Sequence, residues 1–239
     1  MPEANTAGAS GGAAASGAAI GAAVVAIDGP AGAGKSTVAR MLAERLGFSL
    51  LDTGAIYRTL AWSAGCDGVS LTDGAALGRL AEQLPITFEG ARVLHRDVDV
   101  TALIRAPEVS LAASSVSAFP EVRAALLGIQ RRLAQLGRVV VEGRDIGTVV
   151  LPDAPMKFFL TARPEIRAQR RYDELVARGT KVELGATLTE MVERDRRDEE
   201  REVAPLRRAD DAELVDTSDL PLDQVIATME QRARERLGL

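Results

Sequence analysis

This chain of 239 residues has one cysteine, one histidine, one asparagine and only three lysines among its 29 basic residues. Each scarcity closes off some chemistry. With Cys66 alone, neither an internal disulfide nor a cysteine-rich zinc site can be built, and a reducing, cytoplasmic setting is expected. With His95 alone, histidine triads and multi-histidine metal centres are excluded. Asn5 is the only asparagine, so the N-K-x-D sequence with which GTPases read guanine cannot be present. Aromatic residues make up 3% of the chain, which leaves Leu, Val, Ala and Ile to fill the core. No apolar run approaches the roughly 20 residues of a membrane-spanning helix. The formal net charge of −5 argues against a nucleic-acid or membrane-surface binder.

What is present centres on one loop. Val24 to Ile27 is a short, β-branched apolar run, the pattern of a strand buried on both faces. Val38 to Leu46 has helical spacing. Between them lie Gly29, Pro30, Ala31, Gly32, Ala33, Gly34, Lys35, Ser36 and Thr37, which match G-x-x-x-x-G-K-[ST] in the strand–helix context that a phosphate-binding loop requires. Glycines let successive backbone N–H groups curl around a phosphate, and the helix N-terminus adds the positive end of its dipole. Lys35 is placed to reach the terminal phosphates of a nucleoside triphosphate, and the Ser36 hydroxyl to hold Mg²⁺.

Around this loop the chain alternates strand and helix. Residues 1–22, mostly Ala, Gly and Ser, read as a disordered tail rather than a secretory signal. Strands are expected at Phe48–Leu51, Arg138–Val141, Met156–Leu160 and Glu213–Asp216. Helices are expected from Ala55 to Ala64 and from Thr72-Asp73 to Leu84. Others begin at Pro107 and Pro120, span Pro164–Arg178 and Thr187–Val203, and run from Pro221 to about Leu237. Thr187 with Glu190 spells a capping box. The rhythm breaks at 86–104, where Ile86–Phe88, Arg92–His95 and Val98–Ile104 predict a small antiparallel sheet outside the main one. His95-Arg96-Asp97 imitates part of a protein-kinase catalytic loop, but Ala102 stands where Asn is needed and no D-F-G exists, so it reads as a peripheral hairpin turn. The fold expected is α/β: a five-stranded parallel sheet flanked by helices.

Charge clusters in two helices. Arg163, Arg167, Arg170 and Arg171 fall on one helical face, and Arg163–Arg171 carries +3 in an acidic chain. Arg194, Asp198 and Arg201 recur at i, i+4 and i+7. Taken alone, either set suits a solvated face or a surface ion pair. Phosphoryl transfer between two nucleotides would explain both. Two like charges about 4 Å apart repel by about 4 kcal/mol at an effective dielectric of about 20, and arginine forks offset that repulsion. A phosphate acceptor is already an anion, so no general base is required.

Six ordered motifs, GPAGAGKST, LLDTGAIYR, AASSVSAFPEVR, EGRDIGTVVLPDA, RPEIRAQRR and ERDRRDEEREVAPL, resemble those of the bacterial cytidylate kinases, which have the P-loop kinase fold. The resemblance runs from about Val24 to the last helix. It implies ATP- and Mg²⁺-dependent phosphorylation of CMP and dCMP by a monomer. It implies that Thr53, Arg123 and Asp145 meet the cytosine ring and that Ser114, Arg194 and Asp198 meet the ribose. Arg58, Arg144 and Arg201 would hold the acceptor phosphate, and Arg167, Arg170 and Arg171 would belong to a lid over ATP. Lys35, Arg144, Arg167 and Arg201 would serve the transfer itself, with Glu142 organising Mg²⁺ through water. A nucleoside-monophosphate lobe is implied at about 53–123, including the 86–104 insertion, and a lid at about 163–187. Arg163 has no assigned role. A related kinase acting on another small acceptor, or a nucleotide-binding regulator without turnover, would share the phosphate loop but not the cytosine-reading set.

Overall fold

A computed structural model describes residues 23–135 and 137–239; the expected tail at 1–22 lies outside the described residues. Strands β1 (Val24–Asp28), β2 (Ser49–Asp52), β6 (Val139–Glu142), β7 (Met156–Thr161) and β8 (Glu213–Asp216) form one sheet in the order β2-β6-β1-β7-β8. Every pairing in it is parallel. The expected sheet is therefore present. Its central strands β1 and β6 are buried at every position, as sheets covered on both faces demand.

Helices α1 (Lys35–Leu46) and α8 (Leu222–Leu237) cover one face. There Val38 and Leu42 pack with Val225, Ile226 and Met229 over Ile27, Val140 and Phe158. The end of α5 (Pro120–Ala134) covers the other face, where Ala134 joins Ala26, Val139 and Val141. Helices α2 (Thr53–Cys66), α3 (Gly74–Glu82) and α4 (Pro107–Val116) gather around α5 in a second core built on Ile56, Leu60, Leu77 and Leu126. Because the strands are parallel, the segments that follow β1, β2, β6 and β7 all emerge on one edge. In such sheets ligands bind at that edge.

The insertion forms its own antiparallel sheet of β3 (Ile86–Glu89), β4 (Arg92–His95) and β5 (Val98–Asp99). Its last strand is shorter than the expected Val98–Ile104. The Asp99 carboxylate accepts hydrogen bonds from the Thr101 amide (3.0 Å) and hydroxyl (2.6 Å), turning the chain before it can pair further. Arg96 and Asp97 make the hairpin turn with φ of 50° and 62°, the left-handed pair a two-residue turn requires. His95 is not peripheral: it is buried, edge-on to Trp62 and 3.3 Å from the Ser63 hydroxyl.

Two helix boundaries also differ. Helix α6 (Pro164–Ala177) is close to expectation, but α7 (Leu184–Glu200) begins three residues before Thr187. The Thr187 hydroxyl donates backwards to the Glu183 carbonyl (2.9 Å), so it lies inside the helix rather than capping it. At the other end, the Leu206 amide returns to the Asp198 carbonyl (2.7 Å), and the chain reverses through Ala204 at φ 52°.

Candidate active site

The phosphate loop leaves β1 at Gly29. A Cβ on Gly29 would collide with the Leu160 carbonyl oxygen, and its φ of 148° excludes most side chains. Gly32 and Gly34 are left-handed as well, at 71° and 89°. Lys35 opens α1, and its Nζ donates to the Pro30 carbonyl at 2.7 Å. Burial, followed by the nearby Arg144 guanidinium, holds the Lys35 ammonium well below the usual lysine range. The Ser36 hydroxyl donates to Glu142 Oε2 at 2.9 Å. Burial pushes the Glu142 carboxyl up to about 7, with Asp52 adding to the rise. Thr37 is exposed.

Beside the loop, charges from distant parts of the chain join in one network. Arg123 pairs with Asp145 and donates to the Ser117 carbonyl (3.3 Å), while its guanidinium lies over the Tyr57 ring at 5.6 Å. Arg201 reaches Asp145 at 3.6 Å and Asp198 at 3.7 Å. Arg144 Nε donates to Asp198 at 3.0 Å. Opposite-charge neighbours thus run Arg123–Asp145–Arg201–Asp198–Arg144. Arg58 stands at the edge, donating to Asp52 at 2.6 Å, while Asp52 caps α2 by accepting the Ala55 amide at 3.1 Å. The Asp198 carboxyl lies below the ordinary range: burial opposes the charge, but Arg144, Arg194 and Arg201 overcome it.

This network is not self-sufficient. The Nε atoms of Arg58, Arg123 and Arg194, Arg201 Nη2, Ser114 Oγ and the Tyr57 hydroxyl are buried without a hydrogen-bond partner. Native proteins pair nearly all such groups. Against Asp28, Asp52, Asp145, Asp198 and Glu142 stand Lys35, Arg58, Arg123, Arg144, Arg194 and Arg201, a formal excess of one positive charge. Arg194 feels that excess: burial first, then Arg144, pulls its guanidinium down to about 10. An anion offering several hydrogen-bond acceptors would satisfy both deficits. The Thr53 hydroxyl is already committed to the Glu142 carbonyl at 2.7 Å, which leaves its lone pairs for a ligand.

The four arginines expected on one face of α6 have separate partners. Arg167 is buried and donates to the carbonyls of Ala162 and Ala31, each at 2.9 Å, and pairs with Asp195. Arg170 grips Thr217, at 2.9 Å to the hydroxyl and 2.6 Å to the carbonyl. Arg171 pairs with Glu174 on its own helix, 2.9 Å away. Arg163 precedes the helix and is held in a two-pronged pair with exposed Asp219, at 2.6 and 2.7 Å. Only Arg167 touches the phosphate loop directly. The reason is rotational: residues three and four apart share a broad face, but long side chains diverge to different neighbours.

A model of the family described as cytidylate kinase matches residues 25–235. The chain belongs to the cytidylate kinase family. The cytidylate kinase of Geobacter sp. (strain M21) is 49% identical over 219 residues, which is 90% of this chain and 94% of that one. That of Exiguobacterium sp. (strain ATCC BAA-1283 / AT1b) is 47% identical over 215 residues, covering 88% and 96%. Among solved structures, an uncharacterized protein from Eubacterium ventriosum ATCC 27560 aligns with a TM-score of 0.52 at 14% identity. It covers 90% of this chain and 99% of that one, a likeness of fold alone.

Three residues of this cytidylate kinase family member that brace the candidate site are not marked in its sequence. Tyr57 supplies the ring beneath Arg123, yet an aromatic in a helix reads as core. Asp28 accepts the amides of Ile146 (2.8 Å) and Gly147 (2.7 Å), anchoring the segment after Asp145 to the end of β1. Asp195 accepts the Ala31 amide at 3.2 Å. A carboxylate at the end of a buried strand was a legible clue to Asp28; nothing in the spacing pointed to Asp195.

Proposed function

We propose that this member of the family transfers the γ-phosphoryl group of ATP directly, in line, to CMP and dCMP, giving ADP with CDP or dCDP. One observation carries the assignment: the network from Arg123 to Arg144 adjoins the phosphate loop and has unpaired buried donors on the acceptor side. In this reading the loop amides and Lys35 hold the ATP phosphates. Arg58, Arg144 and Arg201 hold the acceptor phosphate, and Ser114, Arg194 and Asp198 the ribose. Thr53, Arg123 and Asp145 read cytosine, the carboxylate accepting from its N4 amine. Asp145 stays oriented for this because Arg123 and Arg201 flank it. Transfer then rests on positioning and charge compensation, with no proton removed by the protein.

Magnesium suits the residues present. Ser36 Oγ and Glu142 Oε2, 2.9 Å apart at the loop, are hard oxygen donors of the kind that hold it directly or through water. Held there, the ion would supply charge neutralisation to the phosphate groups.

We assign residues 53–123 as the acceptor-binding lobe and 163–187 as a lid, with Arg167, Arg170 and Arg171 contributing on the ATP side. A monomer is our reading of the resemblance and a cytoplasmic setting our reading of the single cysteine, while the net charge of −5 supports small nucleotides rather than nucleic acid or membrane as partners. Among the described residues no helix is long and apolar enough to cross a membrane. The test is a panel of nucleoside monophosphates with ATP and Mg²⁺, following ADP release. CMP and dCMP are expected to lead; a faster rate with AMP, or no turnover at all, would overturn the assignment.

A further inference from the structure

Helix α7 touches both halves of the site. Asp198 pairs with Arg144 (3.0 Å) and Arg201 (3.7 Å), and Arg194 lies close enough to feel Arg144. These are the residues assigned above to the acceptor. A different strip of the same helix lies on the phosphate loop. Asp195 Oδ1 accepts the Ala31 amide at 3.2 Å, and a Cβ on Gly32 would stand 2.7 Å from Met191 Cε. The other Asp195 oxygen pairs with Arg167 of α6, whose Nη1 donates to the Ala31 carbonyl at 2.9 Å. The loop's tip is thus gripped at both its amide and its carbonyl by a buried ion pair bridging two helices.

Such a grip is more than loop support. Ala31 is separated from Asp195 by 164 positions, and the two loop contacts close only if α6, α7 and the loop sit together. Asp195 and Asp198 are less than one helical turn apart, so a rigid helix cannot shift at one without shifting at the other. We propose that Asp195 is a positioning residue that couples the two substrates: acceptor binding at Asp198 and Arg194 sets α7, and Asp195 with Arg167 then sets the phosphate loop for ATP. The inference rests on the acceptor assignment made above. By linkage, the factor by which CMP tightens ATP must equal the factor by which ATP tightens CMP.

The experiment is calorimetry on the full chain with CMP and a non-hydrolysable ATP analogue, each alone and each in the presence of the other. For the wild-type chain, CMP is expected to tighten the analogue by about fivefold or more. In Asp195→Asn, whose amide cannot satisfy Arg167 and Ala31 together, the factor is expected to fall towards one while CMP alone binds as before. A merely structural role would weaken CMP alone or leave the factor intact, and either result overturns the proposal. Should D195N lose its thermal transition, Asp195→Glu keeps the charge against Arg167 but carries the carboxylate one methylene beyond the Ala31 amide, and an unchanged factor there overturns it equally. If the wild-type chain fails to bind CMP, the acceptor assignment itself falls, and the coupling with it.

Discussion

The donor and acceptor halves of this site are built on different principles. The phosphate loop is nine consecutive residues whose backbone is proposed to do the binding, with glycines at 29 and 32 where a Cβ would clash. The acceptor basin proposed above has no local sequence of its own. It draws Arg58 from α2, Ser114 from α4, Arg123 from α5, Arg144 and Asp145 from the segment after β6, and Arg194 and Asp198 from α7. A backbone-built site tolerates loss of a neighbouring side chain without losing its shape. A site of paired side chains does not, since removing one partner leaves another buried charge uncompensated.

Substitutions on the two sides sharpen that contrast. The largest effect is expected on the donor side, from Lys35→Ala. The loop amides still form, so thermal stability should change little. Turnover should nevertheless fall by about three decades, as loss of roughly 4 kcal/mol of transition-state stabilisation requires. Steady-state kinetics beside a melting curve decides it, and near-normal turnover would refute the loop assignment. On the acceptor side, Asp198→Ala leaves Arg144 and Arg201 without their shared carboxylate. A loss of about 2–3 kcal/mol in kcat/KM for CMP, roughly 30- to 150-fold, is expected. The KM for ATP should move far less. CMP should suffer more than dCMP, because the 2′-hydroxyl gives the ribose a contact that dCMP lacks; equal losses would remove Asp198 from ribose recognition.

The same contrast explains how much could be read before folding. The strand–loop–helix unit, the five-stranded sheet and the separate 86–104 sheet were all legible, since each depends on a run of hydrophobic periodicity or a glycine spacing that is local. The acceptor residues were legible only through resemblance. Their partnership depends on the order in which strands lie, and β6 slips between β2 and β1 from 87 residues further along than β2 ends. Asp195 shows the limit. It stands between Arg194 and Asp198 with nothing to distinguish it from a solvated helix acid, and only the packed fold puts the Ala31 amide 3.2 Å away. Thr187 failed in the opposite way: its sequence fits a cap, but no backbone partner interrupts the helix before it.

Between the two halves stands Asp28, which ends the donor strand and holds the Ile146 and Gly147 amides of the acceptor segment. Burial raises its carboxyl to about 6, against the pull of those two amides. The folded chain therefore keeps a proton on Asp28 at pH values where the unfolded chain has released it. Stability contributed by this group is fully present below about pH 4 and is lost as the pH rises through about 6. Between pH 5 and 7.5 the loss should come to about 1 kcal/mol. Urea melts of the wild type and Asp28→Asn across that range test it. The variant should show a flatter profile, and parallel profiles would mean that Asp28 does not titrate there.

The smallest effect isolates the acceptor basin from the fold. Ser114 Oγ is buried and has no partner, so it contributes nothing to stability through hydrogen bonding and carries the desolvation cost of an unpaired hydroxyl. Ser114→Ala should leave the melting temperature unchanged or slightly higher, because that cost disappears with the oxygen. If the hydroxyl is held ready for the acceptor's ribose, kcat/KM for CMP should fall about fivefold, the worth of one hydrogen bond near 1 kcal/mol. The KM for ATP should hold, since the donor side is built of backbone that Ser114 does not touch. A drop of several degrees with CMP kinetics intact would reverse the argument, making Ser114 a packing residue of α4 and leaving the ribose to Arg194 and Asp198 alone.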